Sequence, residues 1–474
     1  MALQEPQLAV SAAIGQLKHH AMSSDEDYIL GLKKHSYECS QFLAQSIDKH
    51  LLSIAPTRTG KGRGLVITNL LSLPNHSVFV IDPKGENALV SACYRRDQGH
   101  EVVIFNPYRI YAEEFAELGF PEFQSFNPLD NLDTSSDSFI DDVNVIAEAL
   151  IFDEKHGESH WTEAARGLIV FLINFLMFQP REKCTLQRLH QLLSGGYTYL
   201  EKEVLEIIEN SPTIDPLVKD NVGRYTKPPK GSNEIDSIIA TAETQTRIFK
   251  SKVICNALDG EAFNFEKMKN SKVSVYLILP TRYLITQARY LRLVLLVAMS
   301  QFMRSEKGDH QVLMMMDEFA NLGALSIIEN GYGLIAGHGI TLWSFVQNLS
   351  QLKNLYPNNW ETFIANSSVI TVSNVNDVTT AEYFSLRAGK GDRWKTSHIT
   401  ETNIGTNAKS RNESSNLVRE DNLPVIDFYC AKPNEVFLFY GGQAIPEICN
   451  KALYDQYSPY KERAKSNPMY KGEN

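Results

Sequence analysis

A chain of 474 residues is long enough for two or three domains of ordinary size. Its apolar fraction of 43% and charged fraction of 22% are ordinary for a soluble globular protein with a large core. The net charge of −10 argues against a protein coated in nucleic acid, while leaving room for a basic groove or pore lining on an acidic body.

The six cysteines (Cys39, Cys93, Cys184, Cys255, Cys430 and Cys449) include no CxxC pair, the pattern of free thiols in a reducing cytosol. The opening MALQEPQLAV lacks a basic region followed by a long apolar run, so no signal peptide is expected. The apolar stretches Gly167–Phe178 and Leu291–Met303 fall short of the ~20 residues that span a bilayer, and predict buried helices.

In chain order, residues 1–50 carry apolar positions at helical spacing around Ile29, Leu32 and Phe42, which predicts an N-terminal helical segment. Three short apolar runs follow, Leu51–Ala55, Val78–Ile81 and Val102–Phe105, separated by helical patterns or polar turns, as in a parallel sheet. From about Asp137 to Leu258 the strand signal disappears. Segments Ser138–Phe152, Trp161–Phe178, Thr185–Leu193, Tyr199–Glu209 and Ile235–Asn256 all have helical periodicity. Strand patterns resume at Val273–Leu279, Val312–Met316, Thr341–Val346, Val369–Val372 and Val436–Tyr440. The expected organisation is α/β. Residues 51–136 and 259–457 form a nucleotide-binding domain with a mainly parallel sheet, interrupted by an all-α domain over 137–258. The polar, Ser/Thr/Asn-rich stretch Gly389–Asn422 predicts a long mobile loop, and 458–474 a flexible tail.

The run Ala55-Pro-Thr-Arg-Thr-Gly60-Lys61-Gly62 lies between a strand and a helix. A small-residue loop in that context turns backbone N–H groups inward. With the helix N-terminus they stabilise a phosphate chain, and Lys61 reaches the β- and γ-phosphates. The nucleotide contacts expected here are Thr57, Arg58, Thr59, Gly60, Lys61, Gly62 and Arg63. Gly62 stands where a Ser or Thr would ligate Mg²⁺: either Thr59 or an extra water fills that position, or metal binding is weakened. The run Val312-Leu-Met-Met-Met-Asp317-Glu318 supplies a strand ending in paired acids. Asp317 is expected to hold the Mg²⁺ shell and Glu318 to polarise the attacking water. At the end of Thr341–Val346, Gln347 is placed either to sense the γ-phosphate or to cap the next helix.

Other features are weaker. His156 and His160 lack the glutamate arrangement of a zinc helix, and the glycines from Gly331 to Gly339 lack dinucleotide spacing. Lys227, Lys230, Lys250 and Lys252 read either as contacts to a nucleic-acid backbone or, more in keeping with scattered surface lysines, as solvated charges. Asp82 either assists the nucleotide or sets a turn.

The ordered set of blocks resembles the TraG/TraD-like type IV coupling proteins. Besides the phosphate loop and Trp161, it comprises Asp82-Pro-Lys-Gly-Glu86, Phe126-Asn-Pro-Leu129, Asp317–Gly323, Gln347–Leu352 and Asp377-Val-Thr-Thr-Ala-Glu-Tyr383. The resemblance implies a RecA-like fold with an inserted helical domain, and ATP with Mg²⁺ as cofactors. It also implies pumping of DNA, relaxase–DNA complexes or effector proteins into a type IV secretion channel by a homo-hexamer at the cytoplasmic face of the bacterial inner membrane. Alternatives are a general hexameric DNA translocase and a non-hydrolysing receptor platform. Three departures stand out. The family's N-terminal transmembrane pair is absent from this sequence, which reads as a trimmed chain or a soluble variant, monomeric in isolation. Gly62 lacks the hydroxyl. No Arg or Lys lies between Glu318 and Leu352, so an arginine finger has no place there; Arg387, after the Thr379–Tyr383 block, is either a substitute or a solvated helix end.

Overall fold

The structure, a computed structural model, describes residues 18–20, 28–34, 40–45, 49–152, 160–211, 216–226, 234–402 and 409–468. His156, Lys227 and Lys230 lie outside the described residues.

The first described residues form strands where the sequence predicts helix: β1 (Lys18–His20), β2 (Tyr28–Lys34) and β3 (Ser40–Gln45). They pair antiparallel, β2 with β3 from Tyr28↔Gln45 to Lys34↔Ser40, with an irregularity between Ile29 and Gly31. Short apolar runs are ambiguous in period. Here the long-range pairing Asn450↔Leu32 supplies backbone partners that a short Gly-containing helix would lack.

Then come β4 (His50–Ile54), β5 (Ser77–Asp82), β6 (Glu101–Phe105), β7 (Val273–Ile278), β8 (Val312–Met316), β9 (Ile340–Val346) and β10 (Ser367–Val372). These pair in parallel in the order β10-β4-β9-β8-β5-β7-β6. Their residues alternate between two faces. Leu52, Ile54, Phe79, Ile81, Met314, Met316 and Val346 join one apolar cluster, and Leu51, Val78, Val80, Leu313, Met315, Trp343 and Phe345 another. With both faces covered, the strands read as continuous apolar runs.

The second face is covered by the helices that follow β4 and β5: a π-helical turn Gly62–Val66 running into α1 (Ile67–Leu70), and α2 (Glu86–Asp97). Between β6 and β7 the described residues form helices and turns, including α3 (Phe139–Leu150), α4 (His160–Met177), α5 (Leu186–Ser194) and α6 (Glu234–Gln245). Their apolar faces, with those of α7 (Ala288–Met303), share one continuous core with the first face of the sheet. None of the described helices is long and apolar enough to cross a membrane.

After β9 come α8 (Leu349–Leu355), β10 and α9 (Val378–Ala388). The stretch expected to be a loop instead pairs along its length as β11 (Lys390–Thr402) and β12 (Lys409–Asp421), from Lys390↔Asp421 to Thr402↔Lys409. Backbone pairing in a two-stranded ribbon needs no apolar period, so the sequence carried no periodic signal for it. β13 (Glu435–Tyr440) and β14 (Glu447–Asn450) then extend the sheet antiparallel beyond β10, and β14 meets β2.

The tail expected to be free from residue 458 is packed as far as it is described. Tyr460 is buried in a small cluster with Ile67, Leu71, Val90, Tyr94, Ala452 and Tyr454. Arg463 Nη1 donates to the Leu71 carbonyl at 2.7 Å, and Asn467 Nδ2 to Glu86 Oε1 at 2.8 Å. Aromatic side chains spaced along a polar stretch suffice to fasten it over α1 and α2.

Candidate nucleotide site

The register puts three strand tips side by side. Ile54 of β4 pairs with Val346 of β9, and Met316 of β8 pairs with Ser344 of the same strand. The chain therefore leaves β4, β9 and β8 at one edge, the carboxyl end of a parallel sheet, where open α/β folds bind ligands. A polar chain through the buried strands, Trp343 Nε1 to Ser53 Oγ at 2.8 Å and Ser53 Oγ to Thr371 Oγ1 at 2.7 Å, stiffens the strand that feeds the loop.

Beyond Ile54 the loop turns on left-handed residues, Arg58 at φ 60° and Gly60 at φ 79°. A glycine adopts that conformation freely. Thr59 Oγ1 donates to the Pro56 carbonyl at 2.8 Å, and Gly64 N to the Gly60 carbonyl at 2.9 Å, closing the loop onto the helical turn. A π-turn straight after a phosphate loop is a local distortion of the kind found at functional sites.

Lys61 Nζ lies 2.8 Å from Asp317 Oδ1 and 3.3 Å from Glu318 Oε1. Burial pulls its pKa down, but the two carboxylates outweigh burial and hold it above its ordinary value. Glu318 sits at φ 55°, an uncommon conformation for a side chain of its size, and its N–H is held by Asp317 Oδ1 at 3.0 Å. Its other oxygen accepts from Gln347 Nε2 at 3.2 Å. The helix after β9 is capped by the next residue, Asn348, which accepts from Gln351 N at 3.1 Å. The Gln347 amide is thus turned to Glu318. The structure brings Lys61, Asp317, Glu318 and Gln347 together.

Other expected residues lie elsewhere. Thr57 and Arg58 are exposed on the loop. Arg63 pairs with Asp455 of the C-terminal segment. Arg387 lies over the Phe439 ring at 5.8 Å. Asp82 is buried and accepts from Ala88 N at 2.9 Å and Asn87 Nδ2 at 3.3 Å, which makes it the anchor of the turn into α2. Burial, against the pull of the Ala88 N–H, pushes its carboxyl up to about 7. Lys250 pairs with Glu243 at 2.8 Å.

The donor set fits a magnesium ion. Mg²⁺ is held through one or two carboxylates plus substrate phosphates and waters, and Asp317 offers a carboxylate beside the phosphate loop. Gly62 offers nothing, and the Thr59 hydroxyl spends its proton on Pro56 while keeping lone pairs.

Several supporting residues escaped sequence reasoning. Thr380 accepts from Leu349 N at 3.0 Å, so the Asp377–Tyr383 block holds the start of the helix behind Gln347. Arg292 is buried in α7 and donates to the Leu322 and Ala324 carbonyls at 2.9 and 2.6 Å, fixing the turn that follows the acids.

The family model described as "Type IV secretory system Conjugative DNA transfer" matches residues 10–470. The chain belongs to this family. Among its relatives is the conjugal transfer protein TraG of Escherichia coli. It is 26% identical over 376 residues, which cover 73% of this chain and 56% of TraG. Protein VirD4 of Rhizobium radiobacter is 25% identical over 404 residues, covering 81% and 55%. The chain thus spans little more than half the length of these relatives. In fold it resembles the plasmid coupling protein TrwB in complex with the GTP analogue GDPNP, with a TM-score of 0.64 and 14% identity over 93% of this chain and 96% of that one. TrwB in complex with ADP and Mg²⁺ gives a TM-score of 0.63 at 14% identity, covering 93% and 97%.

Proposed function

We propose that this chain is the ATP-hydrolysing segment of a coupling protein for conjugative DNA transfer. In this reading it works at the cytoplasmic face of a bacterial inner membrane and drives DNA, with or without an attached relaxase or effector protein, toward a type IV secretion channel. The observation that carries it is the Lys61 ammonium shared between Asp317 and Glu318 at adjacent strand tips. The name of the relative TraG and the ADP and Mg²⁺ bound by the structurally similar TrwB agree with it.

The geometry supports the following roles. An arriving triphosphate competes for Lys61, which leaves the carboxylates and neutralises phosphate charge. Asp317 is then free to hold Mg²⁺, which when bound shields the charge on the phosphate oxygens. Glu318, kept in orientation by Gln347, accepts a proton from the attacking water. Residues 51–136 and 259–457 form the nucleotide-binding domain in this reading, and the helices over 137–258 are an insert on its first face.

With no Arg or Lys from Glu318 to Leu352 and Arg387 held near Phe439, we infer that the cation for the transition state comes from a neighbouring subunit. That implies a ring, taken here as a homo-hexamer. The test is ATP turnover by purified protein, wild type against Lys61→Ala: equal rates sink the assignment.

A further inference from the structure

We propose that Lys451 is a positioning residue for the phosphate loop, its side chain fixing the Thr59 carbonyl and through it the peptide that faces a bound phosphate. The proposal rests on the nucleotide reading of that loop.

Lys451 follows β14 and is 5% exposed. Its Nζ donates to the Thr59 carbonyl at 2.5 Å, to Asn374 Oδ1 at 2.6 Å and to the Pro433 carbonyl at 2.6 Å. An ammonium has three donors and no acceptor, so this one is fully used, by neutral oxygens alone. Burial pushes its pKa down to about 8. Among the described residues no carboxylate partners it; a buried cation so placed is costly, and an apolar side chain would fill the space with less penalty.

The three acceptors belong to three separate elements: the phosphate loop, the turn after β10 and the turn before β13. The turn after β10 is itself tied to the end of β4, where Ser373 N donates to the Ile54 carbonyl at 3.0 Å. Asn374 stands at φ 53°, which aims its backbone out of the strand. The chain also leaves room for the lysine. A Cβ on Gly64 would stand 3.2 Å from Lys451 Cβ, a contact tighter than side chains ordinarily make.

The mechanism is a consequence of peptide planarity. The carbonyl and N–H of a trans peptide point in opposite directions. Holding the Thr59 carbonyl toward Lys451 therefore turns the Gly60 N–H away from it, and the left-handed Gly60 continues the turn into Lys61. A loop without this hold samples other peptide orientations, each of which loses a phosphate donor.

Four measurements on Lys451→Met, which keeps length and removes every donor, test this. They are the dissociation constant for a fluorescent ATP analogue with Mg²⁺, the steady-state kinetics of ATP turnover, the amide hydrogen exchange of residues 57–62 without nucleotide, and the thermal midpoint. Nucleotide binding is expected to weaken about tenfold, as for loss of a charged buried hydrogen bond. Exchange in the loop should accelerate, and KM for ATP should rise more than kcat falls. Asn374→Gly removes one acceptor while tolerating the positive φ. It should give a smaller loss, non-additive with Lys451→Met, and it carries the test with Gly64→Ala if Lys451→Met does not fold. Unchanged nucleotide affinity and unchanged loop exchange, or a lowered midpoint alone, overturn the proposal. If the wild type binds no nucleotide, the functional reading fails, and loop exchange in the variant still decides whether Lys451 holds the loop.

Discussion

The ammonium of Lys61 sits 2.8 Å from Asp317 Oδ1, so the phosphate-loop cation and the strand-end acid neutralise each other across the tip of β9. Replacing Lys61 by Ala leaves Asp317 and Glu318 adjacent with no cation between them. Hydrolysis should be lost and nucleotide binding weakened, with the fold intact and stability lowered by about 1–3 kcal/mol. Turnover assays and a denaturant titration on the purified variant check both parts. Near wild-type turnover would contradict the role.

Glu318 and Gln347 should separate binding from chemistry. Glu318→Gln keeps the size and loses the basicity, so it should bind ATP normally while turnover falls about a hundredfold to ten-thousandfold. Gln347→Ala frees Glu318 Oε2 from its 3.2 Å partner, and kcat should fall about tenfold with affinity near wild type. Weakened affinity with intact turnover in either variant would speak against these assignments.

The C-terminal segment should contribute to stability. Tyr460 is 2% exposed in the cluster over α1. Tyr460→Ala should cost about 3 kcal/mol, the scale of a buried aromatic truncation, read as a lowered denaturant midpoint. A loss below about 0.5 kcal/mol, as at ordinary surface positions, would mean the segment is not docked in solution.

Four described histidines are buried and set an acid limit, His190 being lowered by burial as the other three are. Burial lowers His50 to about 4, His76 to about 4 and His100 to about 3, the last two with help from the Arg95 charge. Each lies below the ordinary value of 6.5, so the unfolded chain binds more protons in that interval. Their contribution to stability is complete above about pH 6.5 and is lost as pH falls toward 4. His50 holds Leu342 N on Nδ1 at 3.1 Å and reaches the Tyr332 carbonyl through Nε2, which fixes its neutral tautomer. His50→Asn should flatten the decline in denaturant midpoint between pH 6.5 and 5. An equal slope in wild type and variant would exclude the residue.

Much of the parallel core and the four central site residues were legible because their signals are local: a loop after an apolar strand, a strand ending in acids, an amide at a strand tip. Lys451, 392 residues from Thr59, leaves only a faint local trace, one lysine in the apolar run Ile448–Tyr454. Thr380 and Arg292 act through contacts made only in the folded chain. The misread strands share one cause: β2–β3 and β11–β12 are held by backbone pairing between consecutive strands, which short apolar patterns do not encode.

The most direct test of the central claim is specific ATPase activity over a wide dilution range, with and without single-stranded DNA. With no Arg or Lys from Glu318 to Leu352, transition-state charge is left without a cation on that side of the site, and an arginine supplied from a neighbouring subunit is worth about 10³–10⁵ in rate. The account predicts a slow rate per molecule when dilute, rising with concentration and with DNA, and abolished by Lys61→Ala throughout. A high rate per molecule that is independent of concentration and DNA would contradict it. Such a result would point to a cation in the same chain, with Arg58 and Arg387 the first to replace.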